Sequence, residues 1–76
     1  MKYELRAYDK DNDVYDFIMG SDDYNKVYFT AFIMYPLLIE DRLLSKDNRE
    51  PYDWFEIWNT KADVHEVFDE FYNYFG

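Results

Sequence analysis

Cysteine is missing from this chain, and with it go a disulfide framework, a thiolate zinc site and a thiol nucleophile. There is one histidine, so a Ser–His–Asp arrangement would have to draw on Ser21 or Ser45, and neither sits in a strand–turn–helix elbow. Glycine is nearly absent, at two residues, so no glycine-rich loop is available to cradle a phosphate. Basic residues are scarce too. Eight Lys and Arg against seventeen Asp and Glu leave a formal charge of −9, the wrong sign for gripping nucleic-acid phosphates or an anionic membrane surface. The longest uncharged run, residues 27–39, is thirteen residues, too short to span a bilayer and suited to a buried helix. The opening Met-Lys-Tyr-Glu-Leu-Arg interleaves charges and lacks the apolar stretch of a signal peptide, so a cytoplasmic protein is expected. At 76 residues the chain has room for one core, and 1–76 is read as a single domain.

Aromatic residues are what the chain has in abundance: nine Tyr, seven Phe and two Trp. Acidic disordered chains are poor in aromatics, so this one is expected to fold. So many large side chains cannot all enter one small core, and some are expected on the surface or in a subunit interface.

Tyr3, Leu5 and Ala7 alternate with polar neighbours, the period of a half-buried strand. After the polar turn 9–13, residues 14–19 read as a second strand with Tyr15, Phe17 and Met19 inward and Asp16 outward, paired to the first as a hairpin. Gly20-Ser21-Asp22-Asp23 is a helix-start signal. Tyr24, Val27, Tyr28, Ala31, Tyr35 and Leu38 then fall on one helical stripe, with Phe29, Ile33 and Leu37 on the opposite side. Pro36 is expected to kink this helix or restart it, with helix resuming to about Leu44. A polar loop at 45–51 precedes an aromatic strand at 52–59, with Phe55 and Ile57 on one face and Tyr52, Trp54, Glu56 and Trp58 on the other. Thr60-Lys61-Ala62-Asp63 fits a capping box in its Asp form, and Val64, Val67, Phe68, Phe71 and Phe75 then predict a second helix. The expected fold is α+β: ββαβα, a three-stranded, mainly antiparallel sheet with two helices packed on it.

Two patterns resemble metal sites and fail on inspection. Asp9, Asp11 and Asp13 open like a calcium loop, but Val14 and Gly20 stand where that loop needs its glycine and its bidentate acid. On a helix, His65 and Asp69 would sit one turn apart, yet the chain holds no other histidine as a third ligand. No metal, cofactor or catalytic residue is assigned, and the expectation is a non-enzymatic protein.

The acids cluster. Between Asp9 and Asn25 stand six Asp against Lys10 alone: Asp9, Asp11, Asp13, Asp16, Asp22 and Asp23. Asp63, Glu66, Asp69 and Glu70 add four more near the end of the chain. Acids one helical turn apart lie about 5 Å apart along the axis, and DNA offers a phosphate every ~3.4 Å per strand, so rows of carboxylates could imitate a phosphate row. Acidic faces more often serve only solubility.

In this composition (small, acidic, tyrosine-rich, cysteine-free) the whole chain resembles the inhibitors that phages and mobile elements encode against host defence, the anti-CRISPR and antirestriction DNA mimics. That resemblance implies an inhibitor binding a DNA-handling protein, such as a Cas nuclease effector in the host bacterial cytoplasm, and blocking its nucleic-acid-binding surface without contacting nucleic acid itself. The ten acids above are its candidate contacts. The alternative is a protein–protein interaction module or homodimer, built on the apolar helix and on Tyr52, Trp54 and Trp58, residue types enriched among binding hot spots.

Overall fold

The computed structural model describes residues 1–47 and 49–68. Four strands and one helix follow in the order β1 (Tyr3–Asp9), β2 (Val14–Ser21), α1 (Tyr24–Ile39), β3 (Trp54–Asn59) and β4 (Val64–Phe68). The sheet order is β2-β1-β3-β4, antiparallel throughout. The class is α+β as expected, but with four strands and one helix among the described residues in place of three and two.

The main correction is β4. Residues 64–68 pair with β3, from Asn59↔Val64 to Phe55↔Phe68, where a helix was expected. Thr60–Asp63 is therefore a hairpin turn, not a helix cap. Asn59 Oδ1 accepts from the backbone N–H groups of Lys61 and Ala62 at 3.2 and 3.1 Å, and Asp63 adopts a left-handed φ of 55°. The first hairpin is built alike: Asp9 Oδ1 accepts from Asp11 N–H at 3.1 Å, and Asp13 has φ 54°. Each turn runs from an Asx side chain that bonds its own backbone to a left-handed Asp, with a Val opening the next strand. The expected helix continued to Phe75, and its part beyond residue 68 lies outside the described residues.

A second correction concerns β2. Leu5 pairs with Met19 but Arg6 with Phe17, so Ile18 is an extra residue and the strand carries a bulge. The bulge reverses the side-chain phase. Met19 packs toward the core as expected, but Tyr15 and Phe17 lie on the opposite face, paired with Tyr8 and Arg6. Asp16, expected outward, shares the face of Ala7 and accepts a 2.6 Å hydrogen bond from Tyr52 Oη.

Helix α1 begins as expected, with Asp23 as N-cap accepting from Asn25 N–H at 2.9 Å. It runs unbroken through Pro36 and stops at Ile39, short of the expected Leu44. Arg42 N–H reaches Leu37 O at 2.9 Å and Asp41 N–H reaches Leu38 O at 3.1 Å, with Asp41 at φ 58°. This is a Schellman stop, with Asp in the place glycine usually takes.

The core lies between α1 and one sheet face. Leu5, Ala7, Phe55, Ile57 and Phe68 pack against Val27, Ala31 and Leu38. Tyr52 joins them: it precedes β3 and is buried, so it is not part of the aromatic face assigned to it.

Candidate functional site

Four surfaces carry the residues singled out from the sequence: the two ends of the sheet, the uncovered sheet face, and the outer side of α1.

The acids do not form one row. Asp9 and Asp16 are structural: Asp9 is buried and ties the first turn, also accepting from Asn12 Nδ2 at 2.8 Å, and Asp16 faces Tyr52. The others gather at opposite ends of the sheet. At one end lie Asp11 and Asp13, joined by Asp53, which accepts from Lys10 N–H at 2.8 Å. Asp41, just past α1, lines the same hollow of about 400 Å³ as Asp53. At the other end lie Asp22, which accepts from Lys2 N–H at 2.8 Å, Asp23 at the helix cap, and Asp63 in the β3–β4 turn, where Thr60 N–H bonds Lys2 O at 2.8 Å. Glu66 stands near this end, on Tyr24. Asp69 and Glu70 lie outside the described residues. With seven residues in β1, the two poles are separated by about 23 Å at 3.3 Å per residue.

Tyrosine hydroxyls hold several of these acids. Tyr8 Oη donates to Asp13 at 2.8 Å, Tyr24 Oη to Glu66 at 2.6 Å and Tyr52 Oη to Asp16 at 2.6 Å. A phenol that donates to a carboxylate resists losing its proton. Tyr8 is pushed up to about 12, first by its bond to Asp13. Tyr24 and Tyr52 are raised as well, first by burial and then by their bonds to Glu66 and Asp16. None of these tyrosines was singled out from the sequence as a partner of an acid; Tyr52 was expected instead as a partner contact. Their number was the available signal, but Tyr52 and Asp16 are thirty-six residues apart and no local pattern pairs them.

The uncovered sheet face is aromatic and closed on itself. Tyr8 stacks on Trp54 at 4.5 Å between ring centroids and meets Tyr15 at 4.5 Å. Trp58 stacks on His65 at 4.6 Å, with the Arg6 guanidinium 4.1 Å above its ring. Beneath them Glu56 is 3% exposed. Its Oε2 accepts from Trp54 Nε1 at 2.8 Å, and His65 Nδ1 stands 2.8 Å from Oε1. That contact qualifies as an ion pair by distance only, for among the described residues Oε1 has no hydrogen bond of good geometry, and buried Trp58 Nε1 has none either. The opposite residue Arg6 turns to Glu4 instead, at 2.6 Å. Trp54 and Trp58, expected as partner contacts, are thus largely engaged within the domain. His65 belongs to this cluster on β4, and no group of His, Asp and Glu among the described residues is placed to hold a metal ion.

The outer side of α1 has no packing partner among the described residues. Phe29, Ile33 and Ile39 are 61, 60 and 62% exposed, and Phe32 stacks on Phe29 at 6.3 Å. Residues 27–39 carry no charge.

The class these features define is a small α+β domain: among the described residues, a four-stranded antiparallel sheet covered on one face by a single helix. No known protein family, curated protein sequence or solved structure matches the chain. Among the described residues no helix is long and apolar enough to cross a membrane.

Proposed function

We propose that this chain is a non-enzymatic inhibitor that binds a basic, nucleic-acid-handling protein of the bacterial cytoplasm, such as a Cas nuclease effector, and obstructs its nucleic-acid-binding surface. The observation that carries this reading is the pair of carboxylate poles at opposite ends of the four-stranded sheet. Tyrosine and backbone donors fix Asp13, Asp22, Asp23 and Glu66 in place. Acids fixed in advance lose little side-chain freedom when they meet a cationic surface, and a body at −9 is drawn to such a surface from a distance. The spacing alters the form of the mimicry. Two poles can replace two separated groups of phosphates, rather than a continuous phosphate row.

The test is competition with duplex DNA for a basic nuclease, run at rising salt. The chain is expected to displace DNA, and to lose affinity steeply as salt rises. Reversing exposed Asp11 at one pole and exposed Asp22 at the other to Lys is expected to weaken it further, with the melting temperature largely retained. Displacement indifferent to both salt and reversal would discard the reading.

The exposed apolar side of α1 favours the alternative, an interaction module or homodimer whose acids serve only solubility. It predicts a chain that self-associates more strongly as salt rises.

A further inference from the structure

We propose that the outer side of α1 is the seat of an amphipathic, cationic helix supplied by a protein partner, with one bulky apolar side chain of that helix anchored in the hollow between α1 and β2. This rests on the reading of the chain as a binder of basic proteins and specifies how the partner engages it.

Phe29, Phe32, Ile33, Pro36 and Ile39 follow one another at steps of three, one, three and three residues, which on an α-helix is a single stripe about 15 Å long. That length accepts about three turns of a second helix. Beside Phe29 the surface is concave. Met19 on β2 and Asn25, Lys26, Phe29 and Thr30 on α1 line a mostly apolar hollow of about 570 Å³. A concavity next to an exposed aromatic stripe is the shape that receives an anchoring side chain, and such anchors carry most of the energy of a helix-in-groove contact.

Charge selects among occupants. Asp22 and Asp23 precede the stripe, and Glu40 and Asp41 follow it. Of the nearby cations, Arg42 is engaged with Glu40 at 3.7 Å, and Lys26 stands at the hollow. Both ends of the helix are therefore acidic. A second copy docked by a two-fold axis sets α1 against α1 either parallel or antiparallel, and in both arrangements carboxylates meet carboxylates while two bodies at −9 are brought together. An anionic lipid surface is repelled in the same way. A helix with an apolar stripe and Lys or Arg at its two ends meets neither obstacle, since its ends face Asp22 and Asp23 on one side and Glu40 and Asp41 on the other.

The test uses the full chain and a synthetic amphipathic helix made only of Leu and Lys, with oligolysine of equal length and a Leu/Glu peptide of the same pattern as controls. Binding is measured by calorimetry, and its position by amide shifts in NMR spectra. The Leu/Lys helix is expected to bind, with shifts concentrated on α1 and at Met19. The double variant Phe29→Ser/Ile33→Ser, altering two exposed side chains, is expected to weaken it about tenfold or more while the melting temperature holds. Oligolysine binding as well as the Leu/Lys helix, with no effect of the double variant, would overturn the proposal and leave the broader reading standing. Failure of both cationic probes would overturn both. A dimer in sedimentation that the double variant dissociates would make a second copy the occupant, and would overturn it too.

Discussion

The two faces of this sheet solve the same problem with different chemistry. On the covered face, Leu5, Ala7, Phe55, Ile57 and Phe68 meet α1 and exclude water with apolar surface alone. On the uncovered face there is no helix among the described residues, and aromatic rings lie across the strands as a lid of their own. That lid encloses a carboxylate, Glu56, which is as inaccessible as Ile57 beside it. A helix supplies enough apolar area to bury hydrocarbon. A one-layer lid of Tyr and Trp has polar edges, and it holds together with a buried acid at its centre to take the indole N–H.

Removing one large side chain from each face separates the two solutions. Phe55 is completely buried beneath α1, and Phe55→Ala is expected to cost about 3–5 kcal/mol in denaturant unfolding, enough to unfold a domain of this size at moderate temperature. On the other face, Glu56→Ala leaves Trp54 Nε1 without its acceptor and is expected to cost about 1–3 kcal/mol. Glu56→Gln keeps an acceptor oxygen in place and is expected to cost less than the alanine. A glutamine variant as damaged as the alanine would mean that the negative charge toward His65 and Arg6, rather than the hydrogen bond, holds the lid.

The covered face was the more legible in the sequence. Strict alternation in β1 and β3 announced Leu5, Ala7, Phe55 and Ile57, and the stripe of α1 announced Val27, Ala31 and Leu38. Where one extra residue broke the period, the reading failed: Ile18 turns Tyr15 and Phe17 outward and Asp16 inward. In β4, Val64, Val67 and Phe68 fall at i, i+3 and i+4, the spacing of a helix, and Val67 lies on the opposite strand face from the other two, so over so short a span the hydrophobic pattern pointed the wrong way. The turn could have. Asp9 through Val14 and Asn59 through Val64 share an Asx residue, three intervening residues, then Asp and Val, and both fold as the same hairpin. Having read the first as a turn, the second follows from turn chemistry against a misleading capping box. The candidate acids were legible as a composition and not as a surface. Which carboxylates are internal depends on partners such as Tyr52, brought near Asp16 only by the fold.

The smallest expected effect is also the one that separates the faces most finely. Tyr8, beside Trp54 on the uncovered face, is pushed up to about 12 chiefly by its bond to Asp13. Tyr52, in the core, is raised chiefly by burial, and only then by its bond to Asp16. A phenol whose proton is held more tightly in the folded chain than in the unfolded one contributes stability that is fully present below about pH 10. For Tyr8 that contribution is lost as pH rises from about 10 to about 12. The domain is therefore expected to lose stability in base over that window, followed by tyrosinate absorbance and by denaturant unfolding at each pH. Asp13→Asn removes the anion beside Tyr8 and is expected to return its titration toward 10, so that one tyrosine ionises before the fold is lost. Asp16→Asn is expected to leave Tyr52 protonated until the fold itself opens, because burial persists when the acid is gone. If both variants release a tyrosine early, the hydroxyl–carboxylate bond governs on both faces, and α1 does not shield its tyrosine in the way the buried position of Tyr52 requires.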